Sequence, residues 1–293
     1  MDQYALSAIK AWNSRTRNDY KTIGVRPLTN TIGAEITGVN IGAGPSPEQL
    51  AEIRTAFHEN MVLLFRDQTM DHKQHTAFGR HFGELHLHPT NLANKVADPE
   101  IVRLRMDSTS VYAVGEGWHA DVTFEDEPPM GSMLYIKEMP ASGCGGDTMF
   151  ANMYLAYECL SPAMQSFLEG LTAVHTAETL AKQYGFTIPE GGYPEGHHPV
   201  VVRHPVTGRK LLYVSPGFTS HIVELSRRES DVLLDLLYRQ TESNPAIICR
   251  IPWQANSMVF WDNRCTQHHA VWDYAPMSRY GERVTVKGHK PSA

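Results

Sequence analysis

The 293-residue chain has little of what would set it apart from ordinary globular proteins. Its four cysteines (Cys144, Cys159, Cys249 and Cys265) are scattered with no CxxC pair, which fits reduced thiols in a cytoplasm rather than a disulfide scaffold. No apolar run approaches the roughly 20 residues of a membrane span, and the opening MDQYALSAIKAWNSR lacks the apolar stretch of a signal peptide. Cationic excess is missing too. With 26 Lys and Arg against 32 Asp and Glu, the formal charge of −6 argues against the basic face of a general nucleic-acid binder. There is no internal repeat, no low-complexity tract and no linker long enough to separate domains. One cytoplasmic domain over 1–293 is expected, without membrane or nucleic-acid partners, with residues 1–20 as a flexible arm.

What is plentiful is histidine, at fifteen, the commonest protein metal ligand. Short apolar, β-branched runs predict strands at Ile23–Val25, Glu35–Ile41, Met61–Phe65, Ile101–Leu104, Ser132–Lys137 and Ala173–His175. Others fall at Val200–Arg203, Leu211–Val214, Ile247–Ile251, Met258–Trp261 and Arg283–Val286, with a hairpin turn from Pro205 to Gly208. Four helices carry start signals: Ser46-Pro47, Ser161-Pro162, Ser226 with Glu229 three residues on, and Asp71. Many short strands against few helices predict a mainly β fold, a sandwich or barrel with helices outside it.

The chemistry begins at Gly117-Trp118-His119-Ala120-Asp121. Residues i and i+2 of a strand share a face, so His119 and Asp121 can reach one ion. A bare HxD is weak evidence in so histidine-rich a chain. The second half follows the apolar strand Met258–Phe260, in Trp261-Asp262-Asn263-Arg264-Cys265-Thr266-Gln267-His268-His269. Two imidazoles and one carboxylate on one face of an octahedral Fe(II) leave positions open for a 2-oxo acid and O2. The bland alternative, a polar loop packed locally, has no need of the arginines beyond it. Arg279 and Arg283 lie four apart and share a face if extended, as permanent anchors for a dicarboxylate and a second anion.

At these residues the sequence resembles the taurine dioxygenase and 2,4-dichlorophenoxyacetate dioxygenase family, from about Val25 to Lys287. The resemblance rests on WHADVTF, GGDTMFANM, HPVTGRK and WDNRCTQH followed by the two arginines. It implies a double-stranded β-helix (jelly-roll, cupin-like) core and a dioxygenase using Fe(II), 2-oxoglutarate and O2, with release of succinate and CO2. By motif it implies His119, Asp121 and His268 as metal ligands, and Thr148 and Arg279 as holders of 2-oxoglutarate. For the substrate it implies His88 and Arg283 on an anionic head group and Phe218 as an aromatic wall. Asn91 and Gly115 stand where the taurine enzyme has a tyrosine and an asparagine, so the expected substrate is a small organic anion with a different tail. A sulfonate, sulfate ester, phosphonate or carboxylate fits, and hydroxylation beside the heteroatom would lead to C–S or C–O cleavage. The segment 184–198 is expected to cover the site, and lookalikes suggest a homodimer or homotetramer. Desaturation, cyclisation or epimerisation can run on the same core. A metal-dependent hydrolase and a non-catalytic binding module are the readings outside this class, and Asp121 argues against a halogenase.

Overall fold

A computed structural model of the chain describes residues 2–88, 91, 96–178, 181–182 and 190–293. In chain order its elements begin with α1 (Gln3–Asn13), β1 (Gly24–Pro27), β2 (Ala34–Thr37), α2 (Pro47–Asn60), β3 (Val62–Phe65) and α3 (His72–Arg80). The middle of the chain forms β4 (Ile101–Met106), β5 (Gly131–Glu138), β6 (Thr148–Asn152), α4 (Met153–Glu158), α5 (Pro162–Leu168) and β7 (Thr172–Thr176). There follow β8 (Glu195–Pro199), β9 (Val201–Arg203), β10 (Lys210–Leu212), β11 (Thr219–Ile222) and α6 (Arg227–Glu242). The last strands are β12 (Ile248–Ile251), β13 (Ser257–Asp262), β14 (Thr266–Ala270) and β15 (Arg279–Val286).

Seven strands form one sheet in the order β1-β2-β3-β13-β5-β15-β4, antiparallel except for the β2/β3 pair. Smaller sheets run β12-β6-β14 and β11-β7-β8, with β9 and β10 forming a separate hairpin. Alternation along the central strands explains the layering. Val62 and Leu64 of β3, Leu134 and Ile136 of β5, and Val259 and Trp261 of β13 point inward, packing with Phe150, Cys249 and Ile251 of the β12-β6-β14 sheet. The intervening Leu63, Phe65, Met133, Tyr135, Met258 and Phe260 point outward and are covered by Ile53 and Phe57 of α2 and Phe78 of α3. Both faces of these central strands are therefore buried. The result is the mainly β, jelly-roll architecture expected.

The helix signals were sound: Ser46, Asp71 and Ser226 each close a capping box, and Ser161 accepts from Met164 N. The N-terminal expectation was not. Residues 1–20 carry α1, capped by Asp2 and docked by Trp12, which is 4% exposed with the Arg15 and Arg209 guanidiniums 3.9 and 4.1 Å from its ring. The helix QYALSAIKAWN is largely apolar, and it is held by one aromatic anchor. Of the expected cover, residues 184–189 lie outside those described. Its last part is instead the regular strand β8, paired with β7. His198 is fully buried there, with Nε2 2.9 Å from Thr123 O and 3.0 Å from Glu125 O.

Candidate active site

His119 and His268 meet as an isolated antiparallel bridge, His119 N–H to His268 O at 3.1 Å and His268 N–H to His119 O at 2.8 Å. This pairing sets their imidazoles side by side, with ring centroids 4.2 Å apart. Asp121, two residues on, offers Oδ1 at 4.0 Å from His119 Nε2 and 3.9 Å from His268 Nε2. All three residues are buried, and their ligand atoms lie within 4.8 Å of one another. Two imidazole nitrogens and one carboxylate oxygen are a donor set suited to a borderline divalent metal such as Fe(II).

The surroundings orient these donors. His119 Nδ1 is 2.8 Å from Gly117 O, which places its proton on Nδ1 and leaves the Nε2 lone pair facing inward. Asp121 Oδ2 accepts from Ser132 Oγ at 2.9 Å, so Oδ1 is the oxygen turned toward the histidines. Arg283 Nη1 donates to that same Oδ1 at 2.6 Å. Burial would raise the Asp121 carboxyl, but Arg283 and then the two histidines hold it well below the usual carboxylate range. Burial pushes both His119 and His268 down, keeping their rings neutral as ligation requires.

A second cluster lies at the end of β15. Arg279 is 8% exposed and its Nε has no hydrogen-bond partner, a costly vacancy for a buried cation. Its guanidinium sits 5.4 Å from the Trp253 ring, and Trp253 Nε1 donates to Thr148 Oγ1 at 3.0 Å. Thr148 and Arg279 are thus brought to one place, as an anchor for a carboxylate needs. A small pocket opens there, lined by Leu104, Met106, Tyr274 and Arg279. Gly146, at φ +70°, lets the backbone pass: a Cβ there would stand 2.8 Å from Arg279 Cδ.

The expected substrate residues divide. His88 is pushed down to about 4 by burial, with Arg283 the next cause, so the two share one neighbourhood and His88 is a neutral donor. Phe218 packs its ring 5.9 Å from His119 and 5.6 Å from Phe124. Gly115 lies over the His119 imidazole: at φ +87°, a Cβ would meet His119 Cε1 at 3.4 Å. Asn91 is different. Its amide donates to Pro99 O and Ile101 O, so it ties backbone together rather than presenting a donor to the site.

Four contributors escaped the sequence reading: Ser132, Trp253, Tyr274 and Asn263. Ser132 sits in an apolar stretch that reads as core, and Trp253 and Tyr274 in Pro-containing loops with no periodicity. Asn263 was visible inside WDNR, where nothing in the residue type distinguishes a turn former from a clamp.

The chain matches the model of the taurine catabolism dioxygenase TauD, TfdA family over residues 24–285. It is 35% identical over 91% of its length to the alpha-ketoglutarate-dependent sulfonate dioxygenase of Saccharomyces cerevisiae, covering 67% of that protein. To the alpha-ketoglutarate-dependent sulfate ester dioxygenase of Pseudomonas putida it is 32% identical, over 92% and 91% of the two chains. A crystal structure of a taurine dioxygenase from Burkholderia xenovorans superposes with a TM-score of 0.80 at 36% identity, covering 93% of both chains.

Proposed function

The chain belongs to the TauD, TfdA family, and on that premise we propose how its residues divide the work of oxidising a small organic anion. It is an Fe(II)- and 2-oxoglutarate-dependent dioxygenase, an oxidoreductase that also consumes O2. In our reading His119, Asp121 and His268 hold the metal, and Thr148 and Arg279 hold the distal carboxylate of 2-oxoglutarate. The observation that carries it is the convergence of three buried donors within 4.8 Å, flanked by two arginines whose buried Nε atoms have no partner, one of them also bonded to Asp121 Oδ1.

Fe(II), 2-oxoglutarate and O2, when bound, supply the C–H oxidation and the decarboxylation to succinate and CO2. The protein supplies position and exclusion. The His119 Nδ1 contact with Gly117 O fixes the tautomer, and Ser132 fixes which Asp121 oxygen faces the metal. Arg279 binds its carboxylate through a rigid, permanently charged fork where water cannot compete. His88 and Arg283 receive the substrate's anionic head, the first as a neutral hydrogen-bond donor and the second as the charge. Phe218 walls the pocket, and the absence of a side chain at Gly115 leaves room above His119 for the tail.

A sulfonate or sulfate ester head group is the reading that the named activities of the two curated relatives support. Oxidation of the carbon bearing sulfur or oxygen would end in C–S or C–O cleavage. The different tail pocket argues against taurine itself. The test is substrate-dependent succinate formation under air with Fe(II), across sulfonates, sulfate esters and aryloxy acids. Succinate no higher than the substrate-free background for every compound would sink the proposal.

No helix among the described residues is long and apolar enough to cross a membrane. We place the enzyme in the cytoplasm as a homodimer or homotetramer, supported by free cysteines and by exposed Val232 and Leu236, one turn apart on α6. Light scattering that returns the mass of one 32.8 kDa chain would refute the oligomer.

A further inference from the structure

After the His119/His268 bridge the two metal-bearing segments part, and Asp121 lies outside every strand among the described residues. The next residue, Val122, is held at φ +53°. A β-branched side chain in that left-handed region is strained by roughly 1–3 kcal/mol and persists only where its surroundings impose it. The structure shows what imposes it. Asn263, the first residue of the turn after β13, accepts from Asp121 N–H through Oδ1 at 2.6 Å. Its Nδ2 donates back to Asp121 O at 2.9 Å and to Pro129 O at 3.2 Å. The Asn263 backbone N–H is itself tied to Met130 O at 3.0 Å, and the residue has no exposure.

We infer that Asn263 is a positioning residue which sets metal affinity by clamping the backbone of Asp121. The inference rests on the assignment of His119, Asp121 and His268 as metal ligands. A strand neighbour would normally supply one acceptor and one donor to a residue's N–H and C=O. Here one planar amide supplies both, because the segment must leave the ladder to turn Asp121 Oδ1 toward the histidines. Aspartate could accept from the Asp121 N–H but would face two carbonyl oxygens with an oxygen. Alanine offers neither group. The clamp also links the ligands: His268 lies five residues beyond Asn263 on the same turn and strand. One side chain therefore fixes the carboxylate relative to the second imidazole before any metal arrives.

The test is Mn(II) binding to the metal-free protein under anaerobic conditions, by calorimetry or by loss of the free-ion EPR signal. Wild type is compared with Asn263→Ala, Asn263→Asp and Gln68→Ala. Gln68 is a control: its buried amide is as fully bonded, to Ile41 N, Val39 O and Arg66 O, and lies outside the site. Both Asn263 variants are expected to raise the Mn(II) Kd about 10- to 100-fold. Gln68→Ala is expected to lower thermal stability and leave that Kd within about twofold of wild type. Folded Asn263 variants binding as tightly as wild type, or Gln68→Ala weakening binding equally, would overturn the inference. If the Asn263 variants do not fold, exchange of the Asp121 amide in metal-free wild type decides. Slow exchange is expected, and the rate of an open loop would overturn the clamp. Wild type that binds no Mn(II) sinks instead the metal assignment beneath it.

Discussion

Asp121 Oδ1 is contested by Arg283 on one side and the two imidazoles on the other, while Arg279 stands apart with Thr148 and Trp253. The two arginines, four residues apart on one strand, should therefore fail differently. Arg279→Ala is expected to raise the KM for 2-oxoglutarate about 100-fold, since two charge-assisted hydrogen bonds contribute about 3 kcal/mol together. The KM for the anionic substrate should barely move. Arg283→Gln is expected to do the reverse, raising the substrate KM about as strongly while substrate-free consumption of 2-oxoglutarate continues. Steady-state succinate kinetics on both variants separate the cases, and equal effects on both KM values would refute the division. The side chains that converge at this centre stood out in the sequence because imidazoles, carboxylates and guanidiniums are distinctive residue types. Ser132 and Asn263 were not, because hydroxyls and amides serve ordinary packing equally well.

At the scale of elements, strands were recognised where apolar residues crowd, as in β3 and β13, and missed where the site takes over the sequence. TQHHA of β14 and EGHHP of β8 are strands by pairing, not by propensity. A residue chosen to face a metal or to bond a loop carbonyl weakens the very pattern that marks a strand. Helix α1 differs: its sequence is largely apolar, yet it buries only Ala5 and a single ring and leaves Tyr4 and Leu6 exposed, so no clear stripe marks it. That ring makes a prediction: Trp12→Ala should cost about 3 kcal/mol or more, because the indole fills space between two guanidiniums and Tyr154, 6.1 Å away. Chemical denaturation measures it. An unchanged urea midpoint would show that the helix does not dock in solution.

Across the whole molecule, histidines buried far from solvent set an acid limit. Burial is the main cause that lowers His75 to about 4 and His175 to about 3, below the ordinary 6.5. Between roughly pH 6.5 and 4 the unfolded chain takes up protons that the folded one refuses. Stability is thus complete above about 6.5 and falls as pH drops, by up to about 1.4 kcal/mol per unit for each residue. Urea midpoints at pH 7 and 5 check the sign, and His75→Gln should flatten the slope. The large sheet adds a matter of timing. Strand β15 lies between β5 and β4, and β4 pairs with nothing else among the described residues. A ribosome makes β4 and β5 long before β15, so the nascent chain waits with two open edges and neither arginine in place. A chain broken before β15 is left with edges that invite aggregation.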